Sequence, residues 1–165
     1  MAQRIITMAL PALALCLAAC GKHTADHPAA SPAVEKNAEP AEALATLTRT
    51  PSPDGARVFF ITPVDGAVVS NPVVIDFGIE GMSVTKAGDN RPDSGHHHLL
   101  IDAELPDLSL PIPANANYVH FGDGRTSTEI TLEPGQHTLR MLLGDHLHIP
   151  HDPPVISEPI TITVE

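Results

Sequence analysis

Apolar and polar residues alternate over short runs in the C-terminal two thirds of the chain. In the last of these runs, Ile160, Ile162 and Val164 alternate with Thr161 and Thr163. Successive strand residues point to opposite faces of a sheet, so this period of two is typical of a half-buried β-strand. The same pattern predicts seven strands, at residues 57–62, 72–80, 96–103, 117–121, 127–133, 136–144 and 155–164.

Turn-forming residues separate the predicted strands. Pro134 and Gly135 join two of the runs in a tight turn, because Pro presets the first corner and Gly accepts a positive φ. No helical period is visible in this part of the sequence. Seven short strands with turns between them predict an all-β fold, an immunoglobulin-like antiparallel β-sandwich, over residues 56–165.

Residues 20–55 have a different composition. They are rich in Ala, Pro and Glu and show no sustained apolar period. Such a stretch cannot bury enough apolar surface to offset the entropy that ordering it would cost. We therefore expect a disordered linker that tethers the domain, with His23 and His27 as solvated linker residues.

The first 19 residues have the features of a secretory signal peptide. Arg4 supplies a positive charge, and the apolar run at 5–17 is too short to span a bilayer. The run ends in Leu-Ala-Ala-Cys at residues 17–20, which resembles the lipobox of bacterial lipoproteins. The resemblance implies cleavage before Cys20 and lipidation of its thiol. With Gly21 next in the chain, it also implies an anchor in the outer membrane and a domain facing the periplasm. An ordinary signal peptide with small residues before its cleavage site is the alternative.

Composition excludes several classes of function. A net charge of −11 and an aromatic content of 3% disfavour nucleic-acid binding, which relies on basic surfaces and on base stacking. Of the 2 Cys, Cys16 lies in the signal peptide and Cys20 would be blocked by lipid. The mature protein would therefore carry no thiolate ligand, no Cys nucleophile and no disulfide. Removal of residues 1–19 takes away one cation and changes the net charge from −11 to −12.

Histidine is the residue type that stands out. The chain has 10 His, and eight of them lie between residues 96 and 151. His96 and His98 share one face of a predicted strand, since side chains at positions i and i+2 lie on the same side, about 6–7 Å apart. His97 lies on the opposite face with Leu99 and is interpreted as a hydrogen-bonded core or edge residue. His137, at the start of the sixth strand, is expected at the opposite end of the sandwich and is interpreted as structural.

The predicted topology brings other histidines toward His96 and His98. In an immunoglobulin-like sandwich, the start of the third strand and the loop after the sixth lie at the same end. That loop carries His146, His148 and His151, and the short fourth strand returns His120 to the same end. We expect His98 and His148 to lie within about 12 Å of each other, since imidazoles bound to one metal ion reach it at about 2 Å.

A cluster of imidazoles predicts a transition-metal site. Neutral imidazole suits Cu(II) and Zn(II), and carboxylates can complete such a site or orient the rings. The predicted ligands, all at one rim of the sandwich, are His96, His98, His120, His146, His148 and His151. The predicted supporting carboxylates are Asp145 and Asp152. Only Met82 and Met141 remain after processing, which disfavours a thioether site for Cu(I).

These patterns predict a cell-envelope lipoprotein that binds divalent copper or zinc and is not an enzyme. Two alternatives stay open. The histidines could fix loops by hydrogen bonds in a structural or interaction domain that binds no metal. The domain could also be a metal-dependent enzyme with a dismutase-like activity, because copper–zinc superoxide dismutase also carries histidine sites on a β-sandwich. No G-x-S-x-G motif or P-loop is present, and nothing marks Ser94 beside the His run as a nucleophile.

Four motifs resemble those of a bacterial family of secreted proteins and lipoproteins that contain a domain of unknown function. They are Gly-His-His-His-Leu-Leu-Ile-Asp at 95–102, His-Phe-Gly-Asp-Gly at 120–124, Pro-Gly-Gln-His-Thr-Leu at 134–139 and Gly-Asp-His-Leu-His-Ile-Pro-His at 144–151. The resemblance covers residues 58–165. It implies a domain boundary and a secreted location, and it implies no activity.

Overall fold

A computed structural model describes residues 48–165. This part of the chain contains no helix and forms nine strands: β1 (Arg57–Thr62), β2 (Val68–Val69), β3 (Val73–Glu80), β4 (Ser83–Val84), β5 (Ser94–Ile101), β6 (Tyr118–His120), β7 (Ser127–Ile130), β8 (Gly135–Gly144) and β9 (Ile160–Val164). The predicted signal peptide, the lipidation site Cys20 and the linker up to residue 47 lie outside the described residues. Within residues 48–165 we find no helix long and apolar enough to cross a membrane.

The strands form two sheets. The first has the order β1-β3-β7, and the second has the order β2-β9-β8-β5-β4, with β6 also paired to β5. The first sheet corresponds to strands A, B and E of an immunoglobulin-like sandwich, and the β9-β8-β5-β6 part of the second corresponds to G, F, C and C′. The predicted all-β sandwich is confirmed. Strands β2 and β4, of 2 residues each, did not show in the sequence pattern.

A continuous apolar core lies between the two sheets. Val73, Ile75 and Phe77 of β3 pack in one cluster with Leu99 of β5 and Met141 of β8, and each is at most 3% exposed. Burial of one such side chain contributes about 1.5–3 kcal/mol relative to leaving it in water. The alternation of apolar residues therefore fixes which face of each strand turns inward.

The seventh predicted strand, at 155–164, is shorter than expected, because β9 begins at Ile160. Pro159 has no N–H to donate to the ladder, which interrupts the pairing ahead of β9. The residues before it still contact β8 through the backbone: Leu143 N–H donates to the carbonyl of Val155 (3.0 Å), and Ser157 N–H donates to that of Met141 (3.0 Å).

Residues ahead of the predicted domain boundary at residue 56 also contact the sandwich. Asp152 N–H donates to the carbonyl of Thr50 (2.9 Å), and Ser52 N–H donates to the carbonyl of Asp152 (3.2 Å). A stretch assigned to the linker from its composition therefore pairs with the loop that precedes β9.

Both faces of β5 are buried, which is unusual for a strand that carries three histidines. His97 and Leu99 face the main core, whereas His96, His98 and Leu100 lie on the opposite face of the sheet. The alternation predicted for these residues is therefore present.

A second, smaller apolar cluster covers the outer face of β5. Leu100 packs there against Leu142 of β8 and against Ile112, which lies in the connection between β5 and β6. The histidines of this face consequently sit beneath a covering loop. They were predicted at one rim of the sandwich; they lie near the start of β5, beside the ends of β6 and β8, and they are buried there.

Candidate metal centre

Pairing of β5 with β6 places three histidines side by side. His96 and His98 project from the same face of β5, and His98 is directly opposite His120 in the antiparallel register. One nitrogen from each of these three rings lies within 4.8 Å of the other two. His96 is 0% exposed and His98 is 1% exposed. This arrangement offers three ligand atoms to a single ion.

The loop after β8 adds the ring of His148. Its centroid lies 4.9 Å from that of His96, 6.0 Å from that of His98 and 4.7 Å from that of His120. Four imidazoles bound to one tetrahedral Zn²⁺ through nitrogens at about 2.0–2.1 Å would have their centroids about 5.2 Å apart. The remaining three centroid pairs, at 4.9–5.0 Å, agree with that geometry. The expectation that His98 and His148 approach within about 12 Å agrees with these distances.

The backbone at His148 is what turns its ring toward the cluster. Its φ of 68° lies in the left-handed region, which residues other than Gly seldom adopt. Two hydrogen bonds hold it there: its N–H donates to the carbonyl of Asp145 (2.9 Å), and its carbonyl accepts from Ile112 N–H (2.8 Å). The loop is thus fixed both by itself and by the segment that covers β5.

The buried ring nitrogens of the cluster lack protein partners. Both nitrogens of His96, both of His98 and Nε2 of His120 have no hydrogen-bond partner within residues 48–165. An unpaired buried polar atom costs about 1–3 kcal/mol. A metal ion bound by one nitrogen of each ring would replace part of that missing interaction.

The electrostatic environment keeps these rings neutral. Burial, followed by the neighbouring rings of His148 and His120, lowers the pKa of His96 to about 4. Burial, followed by the ring of His96, lowers the pKa of His98 to about 2. Burial also lowers the pKa of His120. Protons therefore do not occupy the lone pairs of these rings near pH 7, and the lone pairs are free to bind a metal ion.

Two glycines make room for the rings. A Cβ at Gly144 would lie 2.9 Å from Nε2 of His98, and a Cβ at Gly122 would overlap the ring of His120. Neither glycine was predicted to be part of the site. The position of Gly122 two residues after His120 was an available signal, whereas the position of Gly144 opposite His96 shows only in the register of the sheet.

The other two predicted ligands do not join the cluster. His146 is partly exposed, and its Nδ1 lies 3.9 Å from Oδ2 of Asp145. His151 is buried behind the start of β5, where its Nε2 donates to the carbonyl of Ser94 (3.2 Å). The structure therefore brings together four of the six predicted ligands.

Asp145 and Asp152 do not contact the cluster rings as supporting carboxylates. The buried Asp145 accepts the N–H groups of Leu147 (2.8 Å) and Ile149 (2.9 Å) at Oδ1, so it organises the loop backbone. Asp152 is exposed, and its Oδ1 pairs with Nη1 of Arg49 at 3.2 Å. Asp145 thus supports the site through the loop that carries His148, and its charge partly opposes the lowering of the pKa of His96.

His97 and His137 lie apart from the cluster. His97 is 0% exposed and packs against Phe77, with ring centroids 5.0 Å apart. The interpretation as a core residue agrees with this packing, but neither ring nitrogen has a hydrogen-bond partner in the described part of the chain. His137 is structural, as its contacts show: Nδ1 lies 2.7 Å from Oδ2 of Asp102, and Nε2 donates to the carbonyl of Glu133 (2.8 Å).

The interaction of His137 with Asp102 makes the free energy of unfolding depend on pH in a known direction. The hydrogen bond to Asp102, followed by that to the Glu133 carbonyl, raises the pKa of His137. A group with a raised folded-state pKa adds stability below its unfolded pKa and loses it as pH rises through the folded pKa. We expect His137→Gln to lower the free energy of unfolding by about 0.5–1 kcal/mol at pH 5.5 and by less at pH 8.5. Urea denaturation of both proteins at the two pH values measures the difference. An equal or larger loss at pH 8.5 would contradict the assignment.

An open cavity lies beside His120. It has a volume of about 590 Å³ and is also lined by Phe121, Asp123 and Arg125. Of the four cluster histidines, His120 is the one that lines this cavity.

The fold and the site define a class of protein: a β-sandwich domain whose buried histidine cluster could hold a metal ion. The sequence model of a family described as "Domain of unknown function (DUF4399)" matches residues 75–165, and the chain belongs to that family. The matched region contains β5, β6, β8 and the loop after β8, and therefore every residue of the cluster. Neither the curated proteins nor the solved structures include a match.

Proposed function

We propose that this domain binds a divalent transition-metal ion, copper or zinc, through His96, His98, His120 and His148. The observation that carries the proposal is the set of buried, unpaired ring nitrogens of His96, His98 and His120, where one nitrogen of each ring lies within 4.8 Å of the other two. The ring of His148 adjoins all three. Imidazole is a preferred ligand of both ions, and the rings are held close to tetrahedral spacing. Gly122 and Gly144 support the proposal, because each leaves the space that one of the rings occupies.

Metal titration of the full chain tests this proposal. The chain, purified without a His tag and freed of metal, is titrated with Zn²⁺ and with Cu²⁺ by calorimetry or against a chromophoric chelator. We expect one ion per chain and a Kd below about 10 μM, which corresponds to at least about 7 kcal/mol of binding free energy. Elemental analysis of the protein as isolated gives the identity of the ion. A Kd above that value for both ions would refute the proposal.

We further propose that the domain binds metal without catalysing a reaction. Ser94, the hydroxyl next to the His run, donates to the carbonyl of Arg91 (2.7 Å), so it fixes a loop and is not activated by a base. An assay of superoxide dismutation by the copper-loaded chain tests the dismutase-like alternative, and turnover above that of free copper would support an enzyme.

We also propose a location in the cell envelope, with a lipid on Cys20 anchoring the protein to the outer membrane. The support is the Leu-Ala-Ala-Cys sequence at 17–20. Cys20→Ala is expected to abolish incorporation of labelled palmitate, and labelling that persists would show that the anchor is elsewhere.

A further inference from the structure

Residues 49–52, which we call the N-terminal strap, lie across the loop that carries His148. Three groups of the Arg49 guanidinium bond to this loop: Nε donates to the carbonyl of Pro150 (3.0 Å), Nη2 to the carbonyl of His151, and Nη1 pairs with the carboxylate of Asp152 (3.2 Å). The side chain of Arg49 is 21% exposed, so these bonds are partly shielded from water. The strap lies outside the region that matches the family.

A second side chain of the strap, that of Thr50, reaches Asp145 in the same loop. The hydroxyl of Thr50 donates to Oδ2 of the buried Asp145 (2.7 Å). The other oxygen of this carboxylate holds the N–H groups on either side of His148, those of Leu147 and Ile149. The strap therefore fixes the carboxylate around which the loop turns.

His148 needs such support. Its left-handed φ is unfavourable for a residue with a Cβ, and it persists only when the surrounding contacts impose it. Loss of the strap would leave Asp145 with the loop contacts alone and would free the loop to carry the His148 ring away from the other three.

We propose that the strap is a clamp that sets the metal affinity of the site, and that metal binding in turn holds the strap on the domain. This inference rests on the proposed function. The two effects are one coupling free energy, so the factor by which the docked strap raises metal affinity equals the factor by which metal stabilises the docked strap.

Matched substitutions at Thr50 test whether the docked strap raises the metal affinity. Thr50→Val keeps the shape of the side chain but removes the bond to Asp145, and we expect it to weaken Zn²⁺ or Cu²⁺ binding by about 10-fold. Thr50→Ser, which restores the hydroxyl, is expected to recover most of that loss. Thr131→Val is the matched control, because Thr131 is exposed, follows β7 in the other sheet and belongs to neither the strap nor the cluster.

Trypsin digestion of the unaltered full chain tests whether bound metal holds the strap on the domain. Cleavage after Arg49 requires release of its guanidinium, so saturating metal is expected to slow it by about the same 10-fold factor, as followed by intact mass. One result would refute the clamp and leave the metal site standing. In that result the unaltered chain binds metal, Thr50→Val binds it equally tightly, and metal does not slow cleavage after Arg49. If the unaltered chain binds no metal, both proposals are wrong.

Discussion

Replacing His98 with Gln is expected to weaken Zn²⁺ or Cu²⁺ binding by at least about 100-fold. Residues that only orient a ligand typically change metal affinity by 10–100-fold, and loss of a ligand costs at least as much. His98 is the most telling position, because its ring contacts those of His96, His120 and His148 at centroid distances of 4.9, 5.0 and 6.0 Å. Competition against a chromophoric chelator measures the change in Kd.

Two histidines outside the cluster serve as matched controls. His137→Gln alters a histidine that is bonded to Asp102 and Glu133, and His146→Gln alters one on the metal-site loop that points away from the other rings. Both are expected to bind metal within about 3-fold of the unaltered chain, since neither supplies a ligand. A loss for His146→Gln as large as that for His98→Gln would mean that His146 is also a ligand and would contradict the proposed set of four histidines.

The arrangement of the three histidines on the two faces of β5 could be predicted from the sequence, because strand periodicity is a local property. A period of two places His96 and His98 on one face and His97 on the other, whichever strands pair with them. The position of His120 does not follow from strand periodicity. It depends on the register that sets His98 opposite His120, and register is decided by tertiary pairing that a single sequence shows poorly.

The loop after β8 was less predictable than β5. His146, His148 and His151 were predicted to join the site together, because all three lie in this loop. Here the positive φ of His148 and the backbone contacts of Asp145 make a tight turn, which directs His148 to the cluster and His146 away from it. His151 was predicted as a ligand because it is close in sequence, and its bond to the Ser94 carbonyl gives it another role.

The strap was missed for a related reason. Its composition matches that of the linker before it, so periodicity and hydropathy give no boundary at Arg49. The contacts that order it are polar bonds from Arg49 and Thr50 to backbone and carboxylate groups far away in sequence. Such bonds have no local sequence signature.

Replacing His98 with Leu is expected to change stability in opposite directions with and without metal. In the metal-free domain the substitution removes two buried, unpaired nitrogens, so we expect the free energy of unfolding to stay the same or to rise by about 1–2 kcal/mol. Metal at 1,000 times its Kd should stabilise the unaltered domain by about 4 kcal/mol. This corresponds to a rise in Tm of roughly 10–20 °C, which His98→Leu should abolish. Thermal denaturation with chelator and with excess Zn²⁺ measures both effects.

His97→Leu separates burial from ligation. His97 is as buried as His98 and its nitrogens are equally unpaired, but it faces Phe77 in the main core. We expect it to stabilise the metal-free domain to a similar extent and to keep the full metal-induced rise in Tm. If His98→Leu instead lost several kcal/mol without metal and His97→Leu did not, the His98 ring would be holding the fold together, and the cluster would serve loop architecture. In a binding site, the buried ligand side chains should lower the stability of the metal-free domain, and metal should restore it. Side chains that only hold the fold together should not show this pattern.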